Sequence, residues 1–167
     1  MGLSAEDVIR ILSLVPLAGE GGYFRETHRS ALRTGGDDRD LGTAIYYLLT
    51  RDTFSAMHRL RGDEIFHFYL GDPAEMLLLR PDGTAAHLII GPDIANGMHP
   101  QVVVPGGVWQ GSRLRRGGEF ALLGTTMAPG FDARDFELGD RAGLLQRYTG
   151  HADLIRALTR DASGAPR

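Results

Sequence analysis

The stretch from Ser55 to Gly71 carries most of the side chains in this chain that could do chemistry. It holds two histidines, His58 and His67, and an acid pair, Asp63 and Glu64, in two short strand-like runs separated by a Gly-Asp turn. Polar side chains inside apolar strands are costly to bury unless they are paired or bind something. The stretch therefore predicts either a binding or catalytic site or a well-paired core.

Proton transfer beside a carbonyl group is one chemistry that these side chains could perform. It needs a base on one side of the substrate and an acid on the other. His58 is the leading base because imidazole titrates near neutral pH. Glu64 could orient His58, and Tyr47, Tyr23 or Tyr69 could supply the acid. The alternative is that His58 and Glu64 simply pair inside the core, and spacing alone leaves both readings open.

Composition limits the classes of protein to consider. The chain has 167 residues, 43% of them hydrophobic and 23% charged, which is typical of one soluble domain. A formal net charge of −3 argues against a nucleic-acid or anionic-membrane partner. The absence of lysine excludes Schiff-base chemistry, and the absence of cysteine excludes disulfides and thiolate sites. No signal peptide or membrane-length apolar run is recognisable, so we expect a cytoplasmic protein.

The pattern of elements is mainly β. A helix capped by Ser4 is expected to end at Pro16, and two more helices are expected at 140–148 and 151–160. Turns recur at short intervals between apolar runs, which favours a sandwich or small barrel with helices at its ends. We expect a single domain over 1–167 with a frayed tail at 161–167. Outside the central stretch, strands are expected at 23–28, 43–49, 76–79, 85–90, 101–104, 108–114, 120–126 and 135–137.

Several further side chains are candidates for ligand contact. Tyr23 and Arg25 share one face of the 23–28 strand, and Arg25 could hold a phosphate or carboxylate by bidentate contacts. Glu20, in a glycine-rich loop, either caps the turn or points at a ligand hydroxyl. Trp109 and Phe66 are most simply core residues, although Trp109 is also the best candidate for stacking on a sugar or base.

Two motifs resemble those of the cupins. In the first cupin motif, His-x-His, a glutamate and a glycine follow in order; His58, Glu64 and Gly71 match it, and Leu60 stands at the second histidine. The second cupin motif is Pro-x-Gly-x-x-His. The segment 105–110 resembles it, with Gln110 in place of the histidine.

Longer segments narrow the resemblance to the cupin family known as DUF985 or cupin-5. The resemblance spans roughly Leu12 to Tyr148 and implies a double-stranded β-helix jelly roll, a homodimer, and a barrel comparable to those of sugar-nucleotide epimerases. The family usually has His-Pro directly before the Glu-Gly-Gly-Tyr segment, where this chain has Ala18-Gly19. The segments that carry the resemblance are 20–27, 43–49, 58–60, 63–69, 100–105, 109–111, 123–126 and 128–132.

A metal is a weaker expectation. The resemblance implies a site of three histidines and a carboxylate, whereas this chain offers only His58, Glu64 and Gln110 as weak candidates, and Leu60 cannot ligate. Plain alternation from Glu64 puts His67 on the other strand face, so that a bulge would be needed to turn it inward. We expect no tightly bound cofactor, and a divalent metal stays open as an alternative.

These observations combine into one expectation. The chain is a mainly β cupin jelly-roll barrel with short terminal helices, and its interior binds a small molecule such as a nucleotide or nucleotide sugar. The preferred function is proton transfer of the isomerase or epimerase type, with His58 as base. The alternatives are a non-catalytic nucleotide- or metabolite-binding protein and a metal-dependent cupin with a reduced ligand set. The expected site residues are Glu20, Tyr23, Arg25, Tyr47, His58, Glu64, Phe66, His67, Trp109 and Gln110.

Overall fold

The computed structural model describes residues 2–160, so the predicted frayed tail at 161–167 lies outside the described residues. Within residues 2–160 there are three helices, α1 (Ala5–Leu12), α2 (Arg141–Arg147) and α3 (Ala152–Ala157). The strands of the same range are β1 (Val15–Pro16), β2 (Tyr23–Arg29), β3 (Thr43–Thr50), β4 (Phe54–Arg59), β5 (Glu64–Gly71), β6 (Ala74–Leu79), β7 (Ala85–Ile90), β8 (Gln101–Val104), β9 (Trp109–Leu114), β10 (Phe120–Met127) and β11 (Glu137–Leu138).

These strands form two antiparallel sheets that face each other. The six-stranded sheet has the order β1-β2-β3-β10-β5-β8, and the five-stranded sheet has the order β11-β4-β9-β6-β7. The core between them contains Tyr47, Leu49, Phe66, Met76 and Leu123, each at most 2% exposed. Strands that are adjacent in a sheet but distant in sequence, such as β3 and β10, close the barrel. The mainly β jelly-roll prediction is confirmed.

The first helix covers part of the outer face of the six-stranded sheet. Ser4 caps α1 by accepting a hydrogen bond from the backbone N–H of Asp7, whose side chain in turn accepts from the backbone of Ser4. Val8 on the apolar face of α1 is buried against Leu48 and Leu122. Burying such side chains is the main stabilisation available to so short a helix.

The other two helices cover the outer face of the five-stranded sheet. Leu144 of α2, Ile155 of α3 and Leu158, which directly follows α3, pack against Met57 and Leu77. The predicted helices at 140–148 and 151–160 are confirmed, with shorter bounds. The strand predicted at 135–137 is instead a 3₁₀ turn at Ala133–Asp135 followed by β11. Among residues 2–160, no helix is both long and apolar enough to cross a membrane.

Candidate small-molecule site

A bulge in β4 determines which side chains of that strand face the barrel interior. Ser55 pairs with Ser112 and His58 pairs with Gln110, so three steps on β4 oppose two steps on β9. Residues three apart in a regular strand point to opposite faces, but a bulge shifts the alternation by one. Ser55 and His58 therefore both point inward, while Met57 packs outward under the C-terminal helices.

A cavity of about 260 Å³ lies at one end of the barrel and is partly open to solvent. Most of its wall is apolar, and its polar side chains are three glutamates, one histidine and two threonines. The lining consists of Leu17, Ala18, Glu20, Phe24, Glu26, Thr43, Ile45, His58, Leu60, Glu64, Thr125, Met127, Phe131, Ala133 and Phe136. An apolar pocket with a few placed polar groups is the usual form of a small-molecule site.

His58 is the central polar group of this cavity. It is 2% exposed, and its Nδ1–H donates to the backbone carbonyl of Ala56 at 2.8 Å. Its Nε2 lies 4.0 Å from Oε2 of Glu64, an ion-pair distance that is too long for a hydrogen bond. Burial favours the neutral ring, but Glu20 and then Glu64 outweigh it and raise the pKa of His58 from 6.5 to about 9. At neutral pH the ring is an imidazolium whose Nε2–H faces the cavity.

Glu64 and Gln110 form a buried pair behind His58. Nε2 of Gln110 donates to Oε2 of Glu64 at 2.7 Å, and both side chains are buried. The alternation that turns Glu64 inward on β5 also turns Phe66 inward, where it packs in the core below the cavity. The structure therefore brings His58, Glu64 and Gln110 together, with Gln110 acting on the carboxylate rather than on the cavity.

Glu20 reaches the cavity from the loop between β1 and β2. Its Oε1 accepts a hydrogen bond of 2.7 Å from Oγ of Ser55. Burial is the main cause that raises the pKa of the Glu20 carboxyl. Glu20 and His58 interact closely enough to titrate as a coupled pair, and their mutual attraction favours an imidazolium next to an ionised carboxylate.

Two glycines allow the Glu20 loop to lie against the sheet. Gly21 and Gly22 have φ of 109° and 73°, which disfavour any side chain. A Cβ at Gly21 would lie 2.2 Å from the carbonyl oxygen of Phe54, and one at Gly22 would lie 2.8 Å from that of Leu48. The Gly-Gly pair that follows Glu20 is thus a packing requirement of this site.

Tyr47 supports the loop from below. Its hydroxyl donates to the carbonyl oxygen of Gly21 at 2.9 Å. Burial and the neighbouring Glu20 carboxylate raise the pKa of Tyr47 well above 10, so the phenol is a weak proton donor at neutral pH. Tyr47 is one of the three tyrosines that the sequence offers as the acid. The described residues that line the cavity do not include it. Its hydrogen bond to Gly21 instead positions the Glu20 loop.

Residues 128–136 form one wall over the cavity. The ring of Phe136 stacks on the imidazole of His58 with a centroid separation of 5.2 Å. The wall is tied to the rest of the barrel by Arg39, whose guanidinium is 9% exposed and lies 2.6 Å from Asp135. Phe131 is held by a hydrogen bond from its backbone N–H to Oγ1 of Thr43. A buried ion pair thus fixes a wall that sequence patterns did not predict.

Tyr23 and Arg25 do not lie in the barrel interior, which corrects the expected placement. Tyr23 packs with the cluster under α1, and the guanidinium of Arg25 lies over the ring of Tyr46 on the outer face at 5.5 Å. Their neighbours Phe24 and Glu26 line the cavity instead. The sequence separated these two strand faces correctly, but each carries one aromatic and one charged residue, so composition did not reveal which one faces inward.

His67 and Trp109 also lie outside the cavity, which corrects their assignment to the ligand site. β5 pairs with β10 without interruption from Glu64 to Phe68, so no bulge turns His67 inward. Its ring contacts Thr126 on the outer face at 3.0 Å. Trp109 precedes the inward Gln110 and therefore points outward, where it packs beneath the helices with the guanidinium of Arg59 at 4.6 Å from its ring.

The donor set does not fit a tightly bound metal. Among residues 2–160 no group of three or more His, Cys, Asp or Glu side chains is arranged to hold one. Leu60, buried at the cavity wall, has no donor atom, and the amide nitrogen of Gln110 is directed at Glu64. Only His58 and Glu64 of the three candidates present donor atoms toward the cavity, and metal sites of this type use three or four ligands.

The two facing sheets, with the cavity at one end of the barrel, define a double-stranded β-helix fold. The chain matches the family described as Cupin superfamily (DUF985) over residues 6–139, and it belongs to that family. It is 36% identical over 132 residues to Uncharacterized protein YML079W of Saccharomyces cerevisiae, an alignment that covers 70% of this chain and 66% of the yeast protein. The chain thus spans just under two thirds of that relative.

Solved structures agree with this assignment. Protein SO0799 from Shewanella oneidensis superposes with a TM-score of 0.87 at 34% identity, covering 95% of this chain and 99% of that one. A dTDP sugar isomerase from Desulfovibrio desulfuricans superposes with a TM-score of 0.52 at 17% identity, covering 76% of this chain and 79% of that one. The second likeness is one of fold alone.

Proposed function

We propose that this protein is an enzyme of the isomerase type that transfers a proton next to the carbonyl group of a small molecule bound in the barrel cavity. One observation carries the proposal: the imidazolium of His58 lies 4.0 Å from the buried carboxylate of Glu64 and interacts with the half-buried carboxylate of Glu20, in a cavity that is partly open to solvent. Perturbed titratable groups in a cleft are typical of acid–base sites. The shared fold of a sugar isomerase agrees with this function but does not by itself support a reaction.

The roles of the residues follow from their protonation. The sequence favoured His58 as the base, but a raised pKa leaves it protonated at neutral pH, so in this proposal it is the acid. Its Nε2–H donates to the substrate carbonyl oxygen. Glu20, whose raised pKa makes it a better proton acceptor than an exposed glutamate, is the base. Glu64 balances the charge of His58.

The reaction moves one proton out and one proton back. Glu20 takes a proton from the carbon beside the carbonyl group, and the electron pair of that C–H bond forms a carbon–carbon double bond. The π electron pair of the carbonyl group moves to its oxygen, which takes the proton of His58. The product is an enol. In an α-hydroxy carbonyl compound this enol is an enediol. Glu20 returns its proton to the former carbonyl carbon, the hydroxyl on the adjacent carbon gives its proton to the now neutral His58, and that oxygen becomes the carbonyl oxygen of the isomer.

Exchange of solvent deuterium into small ketones and aldehydes tests this function, with ¹H NMR as the readout. We expect the protein to accelerate exchange, His58→Gln and Glu20→Gln to abolish it, and His67→Gln and Glu75→Gln, on the outer faces of the barrel, to retain it. Wild-type protein that binds a carbonyl compound without exchanging its protons would instead support the non-catalytic binding function. Homodimer formation and cytoplasmic location stay predictions from the sequence.

A further inference from the structure

The acidic lining of the cavity disfavours a ligand that carries phosphate. Three glutamates and one histidine line it, and within the described residues no arginine does. Glu26, at the lining, is already paired with Arg29, which also binds Asp40. An anionic ligand would lose its hydration and be repelled by Glu20 and Glu64, and the imidazolium of His58 is the one positive charge in the described lining that would offset this cost.

The arginines that could bind phosphate lie elsewhere. Arg25 and Arg59 lie over rings on the outer faces, and Arg39 is buried against Asp135. A separate open cleft at the opposite end of β3 is lined by four arginines, Arg51, Arg113, Arg115 and Arg116. A nucleotide attracted to this protein would therefore meet the open cleft and not the cavity.

The size of the cavity limits the ligand as well. An apolar cavity of about 150 Å³ is sufficient for one benzene ring, so about 260 Å³ holds one ring or branched chain with a few substituents. A nucleotide sugar, with a base, two sugar rings and two phosphates, is too large to be enclosed by it. The rings of Phe24, Phe131 and Phe136 in the wall favour an apolar body for the ligand.

One donor in the cavity is left for the ligand. Nδ1–H of His58 is used by the carbonyl of Ala56, whereas Nε2 has its nearest acidic oxygen, on Glu64, at 4.0 Å. Nε2 of His58 faces the cavity with no protein acceptor within hydrogen-bond distance among the described residues, so a ligand acceptor can take that position. A neutral carbonyl oxygen supplies that acceptor without adding a negative charge beside the glutamates.

We propose that the ligand of the barrel cavity is a small, uncharged carbonyl compound with an apolar ring or branched body and without phosphate or carboxylate. This names the substrate class of the proposed function and rests on it for the reaction, although binding can be measured by itself. This ligand class differs from the nucleotide or nucleotide sugar expected from the sequence, which stays a prediction.

Three probes with the same ring and different charge test this ligand class: cyclohexanone, cyclohexanecarboxylate and cyclohexylammonium. Binding is followed through the side-chain ¹H–¹⁵N resonances of His58. We expect cyclohexanone to shift them saturably and the carboxylate to bind at least about tenfold more weakly. Glu64→Gln, which keeps a hydrogen-bonding partner for Gln110 but removes one charge, is expected to narrow that difference. Uridine diphosphate glucose serves as the phosphate probe and is expected not to perturb His58.

The outcomes separate the ligand class from the reaction. Cyclohexanone binding without deuterium exchange retains the ligand class and rejects the proton transfer. Deuterium exchange into a nucleotide sugar that shifts His58 retains the proton transfer and overturns the ligand class. The ligand class is also overturned if the carboxylate binds as tightly as the ketone, or if none of the three ring probes shifts the His58 resonances. Nucleotide binding that Arg115→Ala and Arg116→Ala remove, with His58 unchanged, belongs to the open cleft and agrees with the proposal.

Discussion

The amide nitrogen of Gln110 donates a hydrogen bond to the carboxylate of Glu64 at 2.7 Å, and this orientation leaves Oε1 of Gln110 buried without a partner in the described residues. The amide cannot be turned over without placing its oxygen against a carboxylate oxygen. Gln110 therefore holds Glu64 in place beside His58, and it does so at the expense of one unsatisfied acceptor.

Replacing Gln110 should reveal the strength of this contact. Gln110→Leu removes the donor from a buried carboxylate, which typically costs about 1–3 kcal/mol. We expect a loss of that size in the free energy of unfolding, measured with urea. Gln101→Leu is the control, because Gln101 lies on the exposed face of β8 and, among residues 2–160, its side chain has a hydrogen bond to His67 alone. Its effect should stay within about 0.5 kcal/mol. Equal losses in the two variants would contradict the role given to Gln110.

The protonation state of His58 can be measured directly. Its pKa is expected near 9, so its ring nitrogen resonances should stay those of an imidazolium through neutral pH in ¹⁵N NMR. Glu20→Gln removes the carboxylate that raises this pKa most, and we expect the pKa of His58 to fall by at least about one unit. Glu75→Gln, distant from the cavity and paired with Arg113, should leave it unchanged. A neutral ring at pH 7 in the wild type would reject the acid role.

Stability should depend on pH through the same residue. The pKa of His58 is higher in the folded state, so the folded state binds more protons than the unfolded state between pH 6.5 and about 9. The stabilisation is complete below pH 6.5 and is lost as the pH rises through that range, by about 3 kcal/mol at 1.36 kcal/mol per unit. Urea unfolding at a series of pH values should show this decline, and His58→Gln should remove most of it. A His58→Gln variant with the same slope as the wild type would assign the decline to other groups.

The glycines of the Glu20 loop provide a test of packing. Gly19 and Gly22 both have positive φ, 83° and 73°, but a Cβ at Gly19 has nothing within 4 Å, whereas one at Gly22 would lie 2.8 Å from a carbonyl oxygen and 2.9 Å from the hydroxyl of Tyr47. Gly19→Ala should cost only the backbone strain of about 1 kcal/mol. Gly22→Ala should cost at least about 2 kcal/mol and weaken cyclohexanone binding, because the loop that presents Glu20 must move. Similar losses in both variants would show that the close approach is unimportant.

Local patterns in the sequence accounted for much of the fold. Alternation on β5 placed Glu64 and Phe66 on one face and His67 on the other, which is what the structure shows. The sequence predicted all three helices, although the first ends at Leu12 and not at Pro16, because Val15 and Pro16 pair with β2 as β1. Strand alternation and helical spacing depend on residues that are close together in the sequence, so they can be predicted from it.

The missing parts of the site depend on contacts between distant segments. The bulge in β4 that turns both Ser55 and His58 inward arises from pairing with β9. The residue types of β4 do not indicate a bulge. The wall at 128–136 is set by the buried pair of Arg39 and Asp135, which are 96 positions apart in the sequence. Nothing in either segment alone indicates that they meet.

The backbone of Glu20 is held by two residues that are distant from it in the sequence, Ala56 and Arg160. Its carbonyl oxygen accepts from the N–H of Ala56 at 2.9 Å and from the guanidinium of Arg160 at 3.0 Å. Ribosomes release a chain from its first residue onward, so the strands of the barrel emerge before this last anchor exists. The pocket therefore lacks its contact with Arg160 until that residue leaves the ribosome. A chain that ends directly before Arg160 should lose ligand affinity while its barrel still folds.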